Sequence, residues 1–388
     1  MPAAGDLWTM MPPVLRLLVV LVLAIWGWLW LRAFLRAGTL LWLMLPGEGQ
    51  IRRRGLYRIT VSTEEYPHGP GDIQPFKLYR PLSRSSRPAV VIYHGATSYG
   101  ENHEVLDALA RALAKVGCLV FVPRLPKLKE VIFDSSSIRS MSIFYEFVTR
   151  YQGVLAGRIT VVGTSFAGGL LLKARLEPAM RETAPRAILT YGSYCDLETT
   201  LKFVLTGRAK DNGQEIAVEP DPWGKIIFFY NYLDHVPGDF DREAVREVLV
   251  HYVNDRPDEG ATAREALPAG DRRMTDLMLN PGNPDSLKLA DRVLDIVRPL
   301  LAENSPSHFY HRIDFPLWVL HGRNDLAVPY TEALALKRLL PKQVRLFISD
   351  LYGHKELSFG RGIWHSLRSG LGMVLFMGRF LRAVEGRR

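Results

Sequence analysis

The sequence predicts an α/β chain in which a mostly parallel sheet carries helices on both faces. Three observations support this. From about residue 56 onward, short β-branched runs alternate with helical stripes, the pattern left by strand–helix crossovers. The run AVVIYHG (89–95) is apolar and continuous, as expected of a strand buried on both faces. The 388 residues are 47% hydrophobic and 23% charged, enough for one large domain with an insertion or for two ordinary ones.

Taken in order, LYRITVS (56–62) and FKLYRP (76–81) read as a pair of early strands joined by a turn rich in Pro and Gly. After the 89–95 strand, residues 102–117 place Val105, Leu106, Leu109, Leu113 and Val116 on one helical stripe. CLVFVP (118–123) is a strand, 137–151 a helix, RITVVG the next strand, LLLKARL part of a helix, and AILTYG (187–192) another strand. Between 196 and 312 the strand signal disappears. Helical patches such as 241–255 and 285–301 alternate with Pro/Gly/Asp-rich linkers. Strands return at PLWVLHG (316–322) and QVRLFIS (343–349), and a terminal helix spans about 362–384. The expected organisation is a segment 1–50, a core formed by 51–195 and 313–388, and a helical cap 196–312 over the carboxyl ends of the sheet.

The segment 17–31, LLVVLVLAIWGWLWL, carries no charge. With its neighbours it reaches about 18 residues, enough to cross a bilayer if flanking arginines snorkel. A cleaved signal peptide would need a small-x-small site, and Leu35-Arg36-Ala37 is a poor one. A buried core helix or re-entrant hairpin is the other alternative. The reading adopted is a retained single-span anchor, with TLLWLMLP (39–46) lying in the interface. Its more basic C-terminal flank, including Arg52, Arg53 and Arg54, places the main domain on the cytoplasmic side. The net charge of +9 therefore points to a membrane surface; no nucleic-acid partner is expected, because no binding motif or long basic run is present. Cys118 and Cys195 show neither disulfide nor metal spacing and read as buried thiols.

The chemistry centres on VVGTSFAGG (161–169). Ser165 follows a strand and precedes a helix, between Gly163 and Ala167, where a strained turn would expose a nucleophile. A serine needs a base, and the base needs an orienting acid. Asp325 follows the 316–322 strand in LHGRNDLAVP, and His354 follows the 343–349 strand in DLYGHKE. Oxyanion donors are expected from the backbone N–H of Phe166 and from HGAT (94–97), at Ala96. Asp196 is a rival acid but sits where a helix N-cap belongs. His94 is expected to shape the oxyanion loop, His321 to pack, and His308 and His311 not to complete a metal site. The aromatic run IIFFYNY (226–232) is expected to pack within the cap.

HGA at 94–96, GTSFAGG at 163–169, HGRNDLAVP at 321–329 and GH at 353–354 together resemble the α/β-hydrolase superfamily. Ala167 departs from its usual second glycine. The resemblance implies an eight-stranded, mostly parallel sheet and a serine hydrolase that uses no metal or organic cofactor. The expected substrate is a small-molecule acyl compound, a carboxylic ester first. A serine peptidase of the prolyl-aminopeptidase type is the alternative within enzymes, and a catalytically silent binding module the alternative outside them.

Overall fold

The computed structural model describes residues 12–44, 59–82, 85–211, 213–219, 221–280, 283–353 and 363–385. Its centre is an eight-stranded sheet. The strands are β1 (Ile59–Gly69), β2 (Asp72–Pro81), β3 (Arg87–Tyr93), β4 (Leu119–Pro123), β5 (Val154–Thr164), β6 (Ala187–Tyr191), β9 (Leu317–Asn324) and β10 (Val344–Gly353). They lie in the order β1-β2-β4-β3-β5-β6-β9-β10. β2 is antiparallel to both β1 and β4, and all other pairs are parallel.

The apolar strands feed two separate cores because successive side chains point to opposite faces. Ala89, Val91 and Tyr93 of β3 enter one cluster, while Val90 and Ile92 enter the other. The first face is covered by α3 (Ser136–Thr149) and α4 (Phe166–Ala174). The second is covered by α1 (Pro13–Met44), α2 (Glu104–Lys115) and α12 (Ile363–Val384).

The early strands extend further into the Pro/Gly stretch than the sequence suggests. The turn closes on Pro70 and Gly71, with Gly69 paired to Asp72 and Gly71 at φ +74°. Proline then glycine at the two central positions is what a type II turn requires.

Between the adjacent strands β6 and β9 lies the inserted block. It holds α5 (Leu197–Thr206), a hairpin of β7 (Arg208–Asp211) and β8 (Gln214–Ala217), α6 (Pro222–Asn231), α7 (Arg242–Val253), α8 (Pro257–Glu265), α9 (Ala269–Leu279) and α10 (Pro284–Asn304). The hairpin was not expected, since its strands are four residues each and largely polar, below what a pattern reading detects. The expected 226–232 cluster packs: Ile227, Phe228, Phe229, Tyr230 and Tyr232 are all buried in the first core.

α1 is one uninterrupted 32-residue helix, long and apolar enough to cross a membrane. Its first half is exposed, whereas Ala33, Ala37, Leu40 and Leu43 are buried. Residues 39–44 thus do not form a separate interfacial patch. They continue the helix and pack with α2 and α12, because their small and leucine side chains recur on one face at helical spacing.

Candidate active site

Parallel strands end together, so their carboxyl-end loops form one surface. β5 delivers Ser165 there, with φ +52° and ψ −130°. Outside glycine that region is sparsely populated and costs free energy. The turn is held by Ser165 N donating to Tyr191 O at 2.7 Å and Gly168 N donating to Ser165 O at 3.0 Å. It closes only because its neighbours lack β-carbons. A Cβ on Gly163 would stand 2.7 Å from Gly168 Cα, one on Gly168 1.7 Å from Ser193 Oγ, and one on Gly169 2.2 Å from the Tyr194 ring. Ala167 is tolerated because the tight contacts fall on Gly168 and Gly169, a packing fact that no local motif displays.

Ser165 caps the amino end of α4, so the Phe166 N–H is among the first-turn donors that the helix itself cannot satisfy. Opposite it, Gly95 presses against the serine: a Cβ there would lie 2.8 Å from Ser165 Cβ and 3.4 Å from its Oγ. Ala96 follows directly. Gly95 N donates to Thr164 Oγ1 at 3.1 Å, which ties the loop to the elbow.

His94, fully buried, anchors the same loop. Leu125 N donates to its Nε2 at 3.0 Å, and its Nδ1 meets Gly95 O at 2.7 Å. An amide only donates and a carbonyl only accepts, so the ring is neutral with its proton on Nδ1. Burial, opposed by the Gly95 carbonyl, pushes its pKa down to about 4.

Asp325 lies just beyond β9 and is buried. Its Oδ1 accepts from Ala327 N and Val328 N, both at 2.9 Å. These bonds orient the carboxylate in its turn. His321 packs beneath it, fully buried, with Nε2 donating to Val328 O at 2.9 Å. His354 lies outside the described residues. The preceding residue, Gly353, is paired with Asn324, the neighbour of Asp325.

Asp196 is an N-cap: its Oδ1 accepts from Thr199 N at 3.1 Å, and Ser307 Oγ donates to its Oδ2 at 2.6 Å. Sequence reasoning passed over Glu332 in α11 (Tyr330–Leu339). It is buried, and it accepts from Cys195 N (2.9 Å), Asp196 N (2.7 Å) and Thr199 Oγ1 (2.7 Å). Burial raises its carboxyl above the ordinary range against those donors.

Two further features were also missed. Phe133 stacks on Phe166 with centroids 4.0 Å apart, and Tyr194 closes on Phe166 at 5.1 Å. The loop bearing Phe133 contains Val131 at φ +60°, a strained state for a β-branched residue. Asn231 of α6 holds it there: Nδ2 donates to Val131 O at 2.9 Å, and Oδ1 accepts from Phe133 N at 2.6 Å. The second is another Ser–His–Asp trio. His68 Nδ1 lies 2.5 Å from Asp72 Oδ2, and its Nε2 lies 2.8 Å from Ser140 Oγ. Ser140 sits inside α3 with its Oγ also 3.2 Å from Ser136 O, so it has neither an elbow nor first-turn donors beside it. This trio ties the β1–β2 hairpin to α3.

Among the described residues no group of three His, Cys, Asp or Glu side chains is placed to hold a metal ion. Cys118 and Cys195 are buried free thiols; burial pushes Cys118 up to about 11 and Cys195 higher.

No protein-family model and no curated protein matches the sequence. Solved structures do show similarity. Acylaminoacyl peptidase from Pyrococcus horikoshii aligns at 14% identity and TM-score 0.46 over 87% of this chain and 44% of that one. Carboxyl esterase 2 from Tuber melanosporum aligns at 14% and 0.44, over 83% and 88%. Puromycin hydrolase aligns at 12% and 0.49, over 85% and 40%. The chain spans less than half the length of the peptidase it matches. The fold is read from the chain itself, from its strand order, its antiparallel β2 and the strained serine between the fifth strand and a helix. On these features the chain has the α/β-hydrolase fold.

Proposed function

We propose that the chain is a membrane-anchored serine hydrolase that cleaves a carboxylic ester through an acyl-enzyme. The observation that carries this reading is the Ser165 backbone at φ +52° and ψ −130° on the β5–α4 turn at the carboxyl ends of the strands, a strained state of the kind that clusters at active sites.

In this reading Ser165 Oγ attacks the ester carbonyl while His354 takes its proton. The N–H groups of Phe166 and Ala96 receive the oxyanion. Collapse of the tetrahedral intermediate expels the alcohol, protonated by His354, and water activated by the same histidine then releases the acid. Asp325 fixes the tautomer of His354 and stabilises its imidazolium. The approach of β10 to Asn324 through Gly353 supports that pairing, since the next residue along the chain is the histidine. Phe133, partly exposed and stacked on the buried Phe166, offers an apolar wall for an acyl or alkyl group.

The inserted block acts as the cap. Its Asn231 grips the 131–133 loop beside the elbow, and Tyr330 OH, just after the acid turn, donates to Asp211 Oδ2 of the hairpin at 3.2 Å. In this reading the exposed half of α1 is the retained anchor, and the basic residues after it favour a cytoplasmic catalytic domain.

The test is fluorophosphonate labelling of detergent-solubilised full chain beside Ser165→Ala and His354→Ala. Labelling lost in the first and strongly reduced in the second is expected. Folded wild type that fails to label would overturn the enzymatic reading in favour of a silent binding module. Faster turnover of an aminoacyl amide than of the matched ester would replace the esterase with a peptidase.

A further inference from the structure

The strands fix a direction through the molecule, and α1 can be placed along it. α12 follows β10 back down the sheet: Phe376 packs on Phe347 of β10, and Phe380 packs on Trp318, the second residue of β9. By its last turn α12 has reached the amino edge. There α1 joins it. Trp30 lies under the Arg382 guanidinium at 3.8 Å, and Arg32 and Arg36 both pair with Glu385. Arg36 also reaches Gly117, at the start of β4, beside Arg87 of β3. Beyond this level α1 climbs between α2 and α12, burying Leu40 and Leu43.

The exposed residues 13–29 therefore project below the amino edge, by about 25 Å at helical rise. Ser165 and Asp325 stand at the opposite edge, about 20 Å away along a strand such as β3.

The amino edge carries an excess of basic residues. Arg175, Arg181, Arg186, Arg312, Lys342 and Arg345 lie in the connections that enter β6, β9 and β10 or at a strand's start. None of the six makes an ion pair among the described residues, whereas Arg150, Arg246, Arg264, Arg298 and Arg323 each pair with a carboxylate. The same connections hold only Glu177, Glu182 and Asp314 as acids. A cavity of about 400 Å³ opens here, lined by Arg175, Leu176, Arg181, Arg312, Asp314 and Phe315. Arg175 is half-buried over the Phe315 ring at 5.0 Å, a position that fixes its guanidinium.

We infer that the amino edge of the sheet is a docking surface for anionic phospholipid headgroups, with the Arg175–Arg181–Arg312 cavity as its headgroup site. The bilayer is the one that α1 enters, so the inference rests on reading α1 as a retained span. Juxtamembrane basic residues gain attraction from an anionic leaflet within a Debye length of it, and the projection of α1 brings this edge within that range. Ser165 then faces away from the bilayer and takes its substrate from the aqueous phase.

The full chain would be floated with liposomes of phosphatidylcholine, alone or mixed with phosphatidylglycerol, and hydrogen exchange followed by mass spectrometry in both. Slower exchange of 175–186, 310–316 and 340–345 with phosphatidylglycerol is expected, and exchange of 94–103 and 193–199 should not change. Arg181→Glu/Arg312→Glu/Lys342→Glu should lose the slowing while still floating and still labelling at Ser165. Equal exchange in both lipids, or protection of the Ser165 side, would overturn the inference and leave the anchor intact. The same slowing by inorganic phosphate in detergent would replace the headgroup with a free anion. A chain that floats with neither liposome would overturn the anchor, and the docking surface with it.

Discussion

Gly95 stands so close to Ser165 that a β-carbon on it would lie 2.8 Å from the serine's own Cβ. The loop that carries Ala96 and the elbow that carries Phe166, the two proposed oxyanion donors, are thus pressed together through a glycine. Neither can back away freely, since Gly95 N is tied to Thr164 Oγ1 and His94 is tied to Leu125 N.

Gly95→Ala is therefore expected to separate the two donors. Turnover of an ester should fall by about 10²–10³-fold, the range seen when one oxyanion donor is removed. Steady-state kinetics beside a thermal melt would check it; unchanged kcat in a folded variant would show that the loop does not serve the oxyanion.

The Ser140–His68–Asp72 trio and the proposed Ser165 site should separate chemically. Ser140 lies within a helix and bonds His68, whereas Ser165 sits on a strained turn. Ser140→Ala should leave fluorophosphonate labelling stoichiometry intact while costing about 1 kcal/mol of stability for a lost hydrogen bond. Mass-spectrometric mapping of the labelled peptide would decide, and a label on Ser140 would assign the chemistry to the wrong trio here.

Asn231 joins the inserted block to Val131 and Phe133 through two hydrogen bonds. Asn231→Ala should lower stability by about 1–3 kcal/mol, as expected for groups left unpaired. It should also raise KM for esters with long acyl chains more than for acetate esters, because Phe133 loses its place on Phe166. An equal change for all chain lengths would remove Phe133 from the acyl wall.

His94 predicts an acid limit. Its ordinary value is 6.5, and burial pushes it down to about 4 in the folded state. Between those values the unfolded chain binds the proton and the folded chain does not. Stability is fully present above pH 6.5 and is lost as pH falls toward 4, by up to about 3 kcal/mol. Denaturant midpoints measured across that range should fall, and His94→Gln should flatten the slope. An identical slope in the variant would assign the acid limit to other groups.

Much of the architecture was legible because it rests on periodicity. Continuous apolar runs such as 89–93 report burial on both faces, and Ser165, Asp325 and Asp196 were placed by their positions after strands. Local chemistry likewise marked Asp196 as a cap, since an N-cap depends only on the next few residues.

What the linear pattern did not contain was contact between distant segments. That Gly168 and Gly169 carry the tight packing of the elbow depends on Ser193 and Tyr194, which arrive from another strand end. Glu332 gains its three donors, and Val131 its strain, only from residues some hundred positions away or more. The second half of α1 reads as membrane-seeking because its composition is apolar, yet Leu40 and Leu43 bury against α2 and α12. Composition and spacing therefore determined the fold class, the candidate serine and its acid, and the apolar character of the N-terminal segment. Tertiary structure alone decided which edge of the sheet that segment leaves from, because direction in space is set by how helices pack on a sheet and not by the order of residues along the chain.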